Sequence, residues 1–162
     1  MTKYPVLFTF RDKISGNRFL AEVVMSGRLL VVDEGDGWWM YGVEPGGLAE
    51  GGRNSADALI ALRQAYREVI FDIASESKTF KAFKAQVEKF FGEKCAELEQ
   101  EWQAAVEEVR NGTVLREGLE VRNKPIEKMD AGTPRSVKVR LLKIGEARPK
   151  DNQLDLPLAV AA

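Results

Sequence analysis

The chain has 162 residues, 44% of them hydrophobic and 30% charged, enough to bury a core in one domain or one domain with an appendage. Its 24 basic and 25 acidic residues leave a net charge of −1, so no global field draws it onto nucleic acid or anionic lipid, and only a local basic patch could do so. The absence of histidine removes the commonest general base and metal ligand, and the single cysteine rules out an internal disulfide or a thiolate zinc site within one chain.

The opening MTKYPVLFTF has no basic region followed by an apolar stretch and a small-residue cleavage site. No apolar run reaches membrane-spanning length, so a cytoplasmic location is expected. Pro5 to Phe10 and Phe19 to Met25 are rich in β-branched and aromatic residues, and Ser15-Gly16-Asn17 between them predicts a hairpin turn. A second Ser-Gly pair, Ser26-Gly27, precedes Leu29 to Val32, and Asp33-Glu34-Gly35-Asp36-Gly37 separates that run from Trp38 to Val43. About four antiparallel strands therefore come before any helix. Leu29-Leu30-Val31-Val32 does not alternate, as expected of a strand covered on both faces or of an intermolecular edge. Asp33, Glu34 and Asp36 carry oxygens that suit magnesium or calcium, but their spacing fits no calcium loop and falls where a hairpin needs turn residues.

After Val43 come two glycine pairs, Gly46-Gly47 and Gly51-Gly52, just before a helix start, where backbone can approach a phosphate. The run lacks the Gly-Lys-Ser/Thr ending of a phosphate loop and the dinucleotide fingerprint, so glycines serving a bulged edge and tight turns are the simpler reading. The helix begins at Asn54 or Ser55, either of which can cap, with Asp57 at the positive end of the dipole. Leu59, Leu62, Tyr66, Val69 or Ile70, and Ile73 form one apolar face, while Arg63, Gln64, Arg67 and Glu68 read as a solvated face.

From Thr79 the helical period runs through Phe80, Phe83, Val87, Phe90, Leu98, Trp102, Val106 and Val109, interrupted at Gly92 and ended by Asn111-Gly112. Two helices or one kinked arm both fit. Its Lys78 to Lys94 part is basic and aromatic, a pattern that serves nucleic acid or a membrane surface but more often core or dimer packing. Cys95 within this period is expected to be a buried or half-buried structural thiol. Residues 113–135 read as a connector with a short strand at Leu119 to Val121. Ser136 to Ile144 alternates as a strand, with Val137, Val139 and Leu141 on one side and Lys138 and Arg140 on the other. Beyond Arg148-Pro149 the tail is expected to be flexible or docked on a partner.

The aromatic strand, Pro-Gly loop, Gly pair, cap and helix opening SADALIALRQAYREV resemble the small HicB-like domain of bacterial antitoxins. Tyr41, Pro45, Gly46, Gly51 or Gly52, Ser55, Asp57, Ala58 and Leu59 stand at the matching places, and the likeness covers about residues 4–74. It implies a partly degenerate RNase H-like α+β fold that acts by binding a toxin, often a small RNA-cleaving protein, rather than by catalysis. HicB-like antitoxins commonly add a helix-turn-helix or ribbon-helix-helix domain. This chain has in its place a long helical segment without a short basic recognition helix.

The expectation is thus an α+β protein: an antiparallel sheet of about four N-terminal strands on one amphipathic helix, then a helical arm and a late C-terminal strand. Its divisions fall at 1–76, a HicB-like domain; 77–112, a helical arm or helix pair; 113–148, connector and strand; and 149–162, a flexible tail. Neighbouring aromatics alternate faces in a strand, so at least one of Trp38, Trp39 and Tyr41 must leave the core. With Pro45, Gly46 and Gly47 they form the expected surface for a protein partner, in a module that self-associates through strand edges or its arm and needs no metal or cofactor. Two alternatives stand beside it: a small nucleotide- or anion-binding protein or enzyme using the glycine loop, and nucleic-acid binding through the Lys/Phe helix.

Overall fold

A computed structural model describes residues 1–115, 119, 136–145 and 158–161. The strands are β1 (Thr2–Ser15), β2 (Phe19–Asp33), β3 (Trp38–Glu44), β4 (Gly46–Gly52), β5 (Ser136–Ile144) and β6 (Leu158–Val160). The helices are α1 (Ser55–Glu76), α2 (Phe80–Gly92) and α3 (Ala96–Arg110). The fold is therefore α+β, with four antiparallel strands ahead of the first helix and β5 joining late. The sheet runs β4-β3-β2-β1-β6. The second edge of β2 is shared: β5 pairs its first half, Phe19 to Ser26, and β3 pairs Arg28 to Asp33.

β2 replaces what its sequence suggests are two strands. Ser26-Gly27 is not a turn, because β1 and β2 pair without a register shift from Ser15↔Leu20 to Thr2↔Asp33. Gly27 is needed for close approach instead: a Cβ there would collide with the Glu44 carbonyl and the Phe8 ring. The glycine run after Val43 forms an edge strand, β4, whose pairing with β3 shifts register between Tyr41 and Val43, as the bulged-edge reading of these glycines expects. Asp33 to Gly37 does make the expected turn, with the Asp33 carboxylate accepting from the Gly35 N–H at 2.9 Å and the Glu34 N–H donating to the Gly37 carbonyl.

Leu29 to Val32 is buried because helices lie on both sides of it. Leu29 and Val31 face α1 and α2 with Val6, Phe8, Phe10, Met40, Leu62, Tyr66 and Ile70, whereas Leu30 and Val32 face α3 with Leu7, Val43, Trp102 and Val106. Asn54 is the α1 cap, its side-chain oxygen accepting from the Asp57 N–H at 2.8 Å, and Ser55 is the first helical residue. The polar face of α1 is not simply solvated: Arg67 pairs at 3.3 Å with Asp12, a buried carboxylate on β1, and lies over the Phe71 ring. Gln64 and Glu68 do form a surface pair.

Residues 77–112 form two helices rather than one arm, and they lie on opposite faces of the sheet. Thr79 caps α2, whose Phe83, Val87 and Phe91 enter the core shared with α1. The Phe stripe is therefore packing inside this chain. Residues 93–95 then pass the end of β3, where the Gly46 N–H donates to the Glu93 carbonyl and the Cys95 N–H to the Val43 carbonyl. Cys95 is half-buried at the position preceding α3. β5 pairs β2 with Val137, Val139 and Leu141 on the core side and Lys138 and Arg140 outward, as the alternation predicts.

At the C-terminus the structure departs from the expected free tail: β6 pairs with Val6 to Phe8 of β1, and Ala161 is buried beside Trp102. The rest of 149–162 and the short strand expected at Leu119 to Val121 lie outside the described residues, apart from Leu119 itself, which is buried.

Tyr66 links α1 to the strand junction, its hydroxyl donating to the Pro45 carbonyl at 3.2 Å while its ring stacks on Phe8. Burial pushes its phenol well above the ordinary tyrosine value, so the folded chain keeps a proton that the unfolded chain loses near pH 10. This group's contribution to stability is full below that pH and is lost as pH rises toward the folded value. Tyr66→Phe should cost about 1 kcal/mol at neutral pH and remove up to about 1.4 kcal/mol per pH unit from the alkaline decline. Denaturant titrations above pH 10 check this, and identical slopes for both chains would contradict it.

Candidate functional site

The aromatic strand β3 divides its side chains between the two faces of the sheet. Trp38 is half-buried on the α1 side and stacks with Tyr4, ring centroids 6.1 Å apart. Trp39 and Tyr41 point to the other side, cross-strand from Val32 and Leu30, and stack on one another at 6.2 Å. Trp39 remains 39% exposed. Its indole lies over the backbone of Gly51 on β4, where a Cβ would come within 3.0 Å of the ring. The glycine that looked like part of a ligand loop is the seat of the exposed tryptophan.

The other residues expected to meet a partner separate in the same way. Pro45 is buried, follows a cis peptide bond and accepts from Tyr66. Gly46 is buried, with its N–H donating to Glu93 at 2.7 Å. Neither can touch a partner in this fold; they form the junction that holds β3 and β4. Gly47 is exposed at φ +86°, a left-handed conformation that suits glycine at the start of the edge strand. Trp39, Tyr41 and Gly47 thus remain at or near the surface, and Trp38, Pro45 and Gly46 support them.

A group the sequence did not single out holds this face together. Arg28 on β2 is 1% exposed, and its Nη2 donates at 2.8 Å to both Glu44 Oε2, at the end of β3, and Glu99 Oε1, on α3. The Trp102 ring covers the guanidinium at 5.2 Å, and its indole N–H donates to the Leu29 carbonyl at 3.1 Å. One cation therefore joins β2, β3 and α3 beneath the aromatic face. The register between β2 and β3 shifts next to it, at Arg28/Leu29, where the extra residue Val43 turns into the α3-side core. The available signals were an arginine abutting a fully apolar run and a Glu99-Trp102 pair at helical spacing.

The glycine run offers little room for the phosphate cradle considered from sequence. Gly52 lies against the first turn of α1, where a Cβ would collide with the Ala58 amide nitrogen, and Asn54 caps the same turn. Among the described residues, no group of three or more His, Cys, Asp or Glu side chains is placed to hold a metal ion. No described helix is long and apolar enough to cross a membrane. Comparison of the chain with family models, curated proteins and solved structures finds no match.

Removing Arg28 leaves Glu44 buried without its cation. Arg28→Ala should lower stability by about 3–5 kcal/mol, a fall of roughly 6–20 °C in melting temperature. Glu99→Gln should cost about 1 kcal/mol or less, because that carboxylate is 35% exposed and water replaces part of the interaction. Thermal melts of both variants test the ordering; an Arg28→Ala chain as stable as wild type would rule out the group as a structural tie.

Proposed function

We propose that the chain is a non-enzymatic, HicB-like protein-interaction module, antitoxin-like in acting by occupying a protein partner. The observation that carries this reading is the placement of Trp39: a large ring held partly in solvent, stacked on Tyr41 and seated on glycine backbone. Rigid aromatics with few rotatable bonds bring large contact area at little entropic cost, and they dominate protein interfaces. The neighbouring strand β4 is the last in the sheet and bears Gly47 and Ala49 exposed, a slim border beside the ring where a partner backbone can come close.

The partner class is a folded protein, with a small toxin as the candidate the HicB resemblance supplies. The Lys/Phe helix is a weaker basis for nucleic-acid binding than it looks in sequence, since Phe83 and Phe91 are committed to the core and its outward lysines share that face with Glu88, which pairs with Lys84. The experiment is co-purification with the product of the adjacent reading frame, using wild type, Trp39→Ala and Trp38→Ala. Trp39→Ala should lose the partner while melting within about 2–4 °C of wild type, as expected for a loss of no more than about 1 kcal/mol. Trp38→Ala, which empties the Tyr4 contact, should instead lower the melting temperature. Retained partner with Trp39→Ala, or a core-sized loss of about 3–5 kcal/mol in that variant, would refute the reading.

A further inference from the structure

Among the described residues, the face of the sheet that bears α3 is only half covered. α3 packs over Leu7, Leu30, Val32 and Val43, and beyond it the same face continues across the far halves of β1 and β2 and across β5. That second half is basic. Arg11 and Lys13 on β1 and Lys138, Arg140 and Lys143 on β5 are exposed, flanking β2, whose only charge there is Glu22, paired with Arg140 at 3.1 Å. α3 has the opposite character: away from its buried stripe it exposes Glu97, Glu101, Glu107 and Glu108. Glu101 and Glu107 already meet Lys3 and Arg110 of the same chain, whereas Glu97 and Glu108 have no salt bridge among the described residues.

An acidic helix standing roughly 10 Å proud of the sheet thus adjoins a basic recess of the same face. We infer that the recess is occupied by α3 of a second copy of this chain, in a two-fold contact in which each α3 lies on the other protomer's open sheet. A two-fold axis requires a surface that complements itself, and a ridge beside a recess of opposite charge meets that requirement in shape and in sign. Three strands at about 4.8 Å spacing and about eight residues at 3.3 Å rise make the recess roughly 350–400 Å². Because each protomer contributes both a recess and a ridge, it buries roughly 700–800 Å², the scale of a standard interface. A polyanion fits less well: the net charge is −1, and the acidic helix beside the patch repels phosphates. The surface is separate from Trp39, so the contact stands or falls independently of the partner-binding reading.

The test uses two charge-reversal pairs. Arg11→Glu with Lys138→Glu changes the recess at positions that flank Val24 rather than Glu22, and Glu97→Lys with Glu108→Lys changes the ridge. Sedimentation velocity should show a wild-type dimer that weakens with added salt, and each variant alone should associate at least about tenfold more weakly. Mixing the two variants should restore a dimer, since both half-contacts again join opposite charges, and the chain carrying all four reversals should dimerise by itself. If one pair impairs folding, the single reversals Lys138→Glu and Glu97→Lys take its place and carry the same expected outcomes at smaller size. A wild-type chain monomeric at every concentration, or variants that dimerise like wild type, would overturn the proposal. So would a monomeric wild type retained on random-sequence duplex DNA at low salt and released by the recess reversals, which would assign the patch to a polyanion.

Discussion

Arg28 is a charge this fold takes out of water, 1% exposed, and the arrangement of the α3-facing side follows from where it sits. A buried guanidinium needs carboxylates near it, and here they come from two directions: Glu44 from the end of β3 and Glu99 from α3. The cation therefore fixes how far β3 extends before the Pro45 junction and which helix closes over Leu30 and Val32. Trp102 completes the enclosure with its ring against the guanidinium and its N–H on the Leu29 carbonyl. Since Arg28 also pairs with Glu44 on the strand that carries Trp39 and Tyr41, the setting of the exposed aromatic pair and the docking of α3 depend on one ionic group.

Much of the frame is legible in the sequence because simple periodicity governs it. The unbroken Leu29 to Val32 run reports cover on both faces, the alternation of Ser136 to Ile144 gives both the strand and its orientation, and the acidic Gly-containing segment after Val32 is a turn. What misleads is glycine. Gly27 and Gly51 look like turn or loop residues, yet both lie in strands and serve close packing, one beneath the Glu44 carbonyl and the other beneath the Trp39 ring. A missing Cβ leaves the same mark in the sequence whether the chain bends there or is approached there.

The charged residues hide their roles for a related reason. Asp12 and Arg28 fall on strands where solvated side chains are ordinary, and their partners Arg67, Glu44 and Glu99 are distant in sequence. Helix periodicity assigns Arg67 to solvent because it counts only the helix, not the carboxylate that the sheet brings beneath it. The candidate site is legible in the same partial measure. Alternation predicts that one of the strand aromatics leaves the core, while only tertiary packing decides that Trp39 does so and that Pro45 and Gly46 become its support.

If Arg28 couples α3 to the aromatic strand as one unit, distinct from the core beneath α1, the two should open together. Native-state hydrogen exchange on wild type and Arg28→Met tests it most directly, because it reads the opening of each element separately. Amides of α3 and of Val43, Glu44 and Gly46 should exchange faster together in Arg28→Met, by at least about tenfold for a loss of about 1.4 kcal/mol or more, while those in the middle of α1 keep their protection. Uniform acceleration of α1 and α3, or unchanged protection in α3, would contradict it.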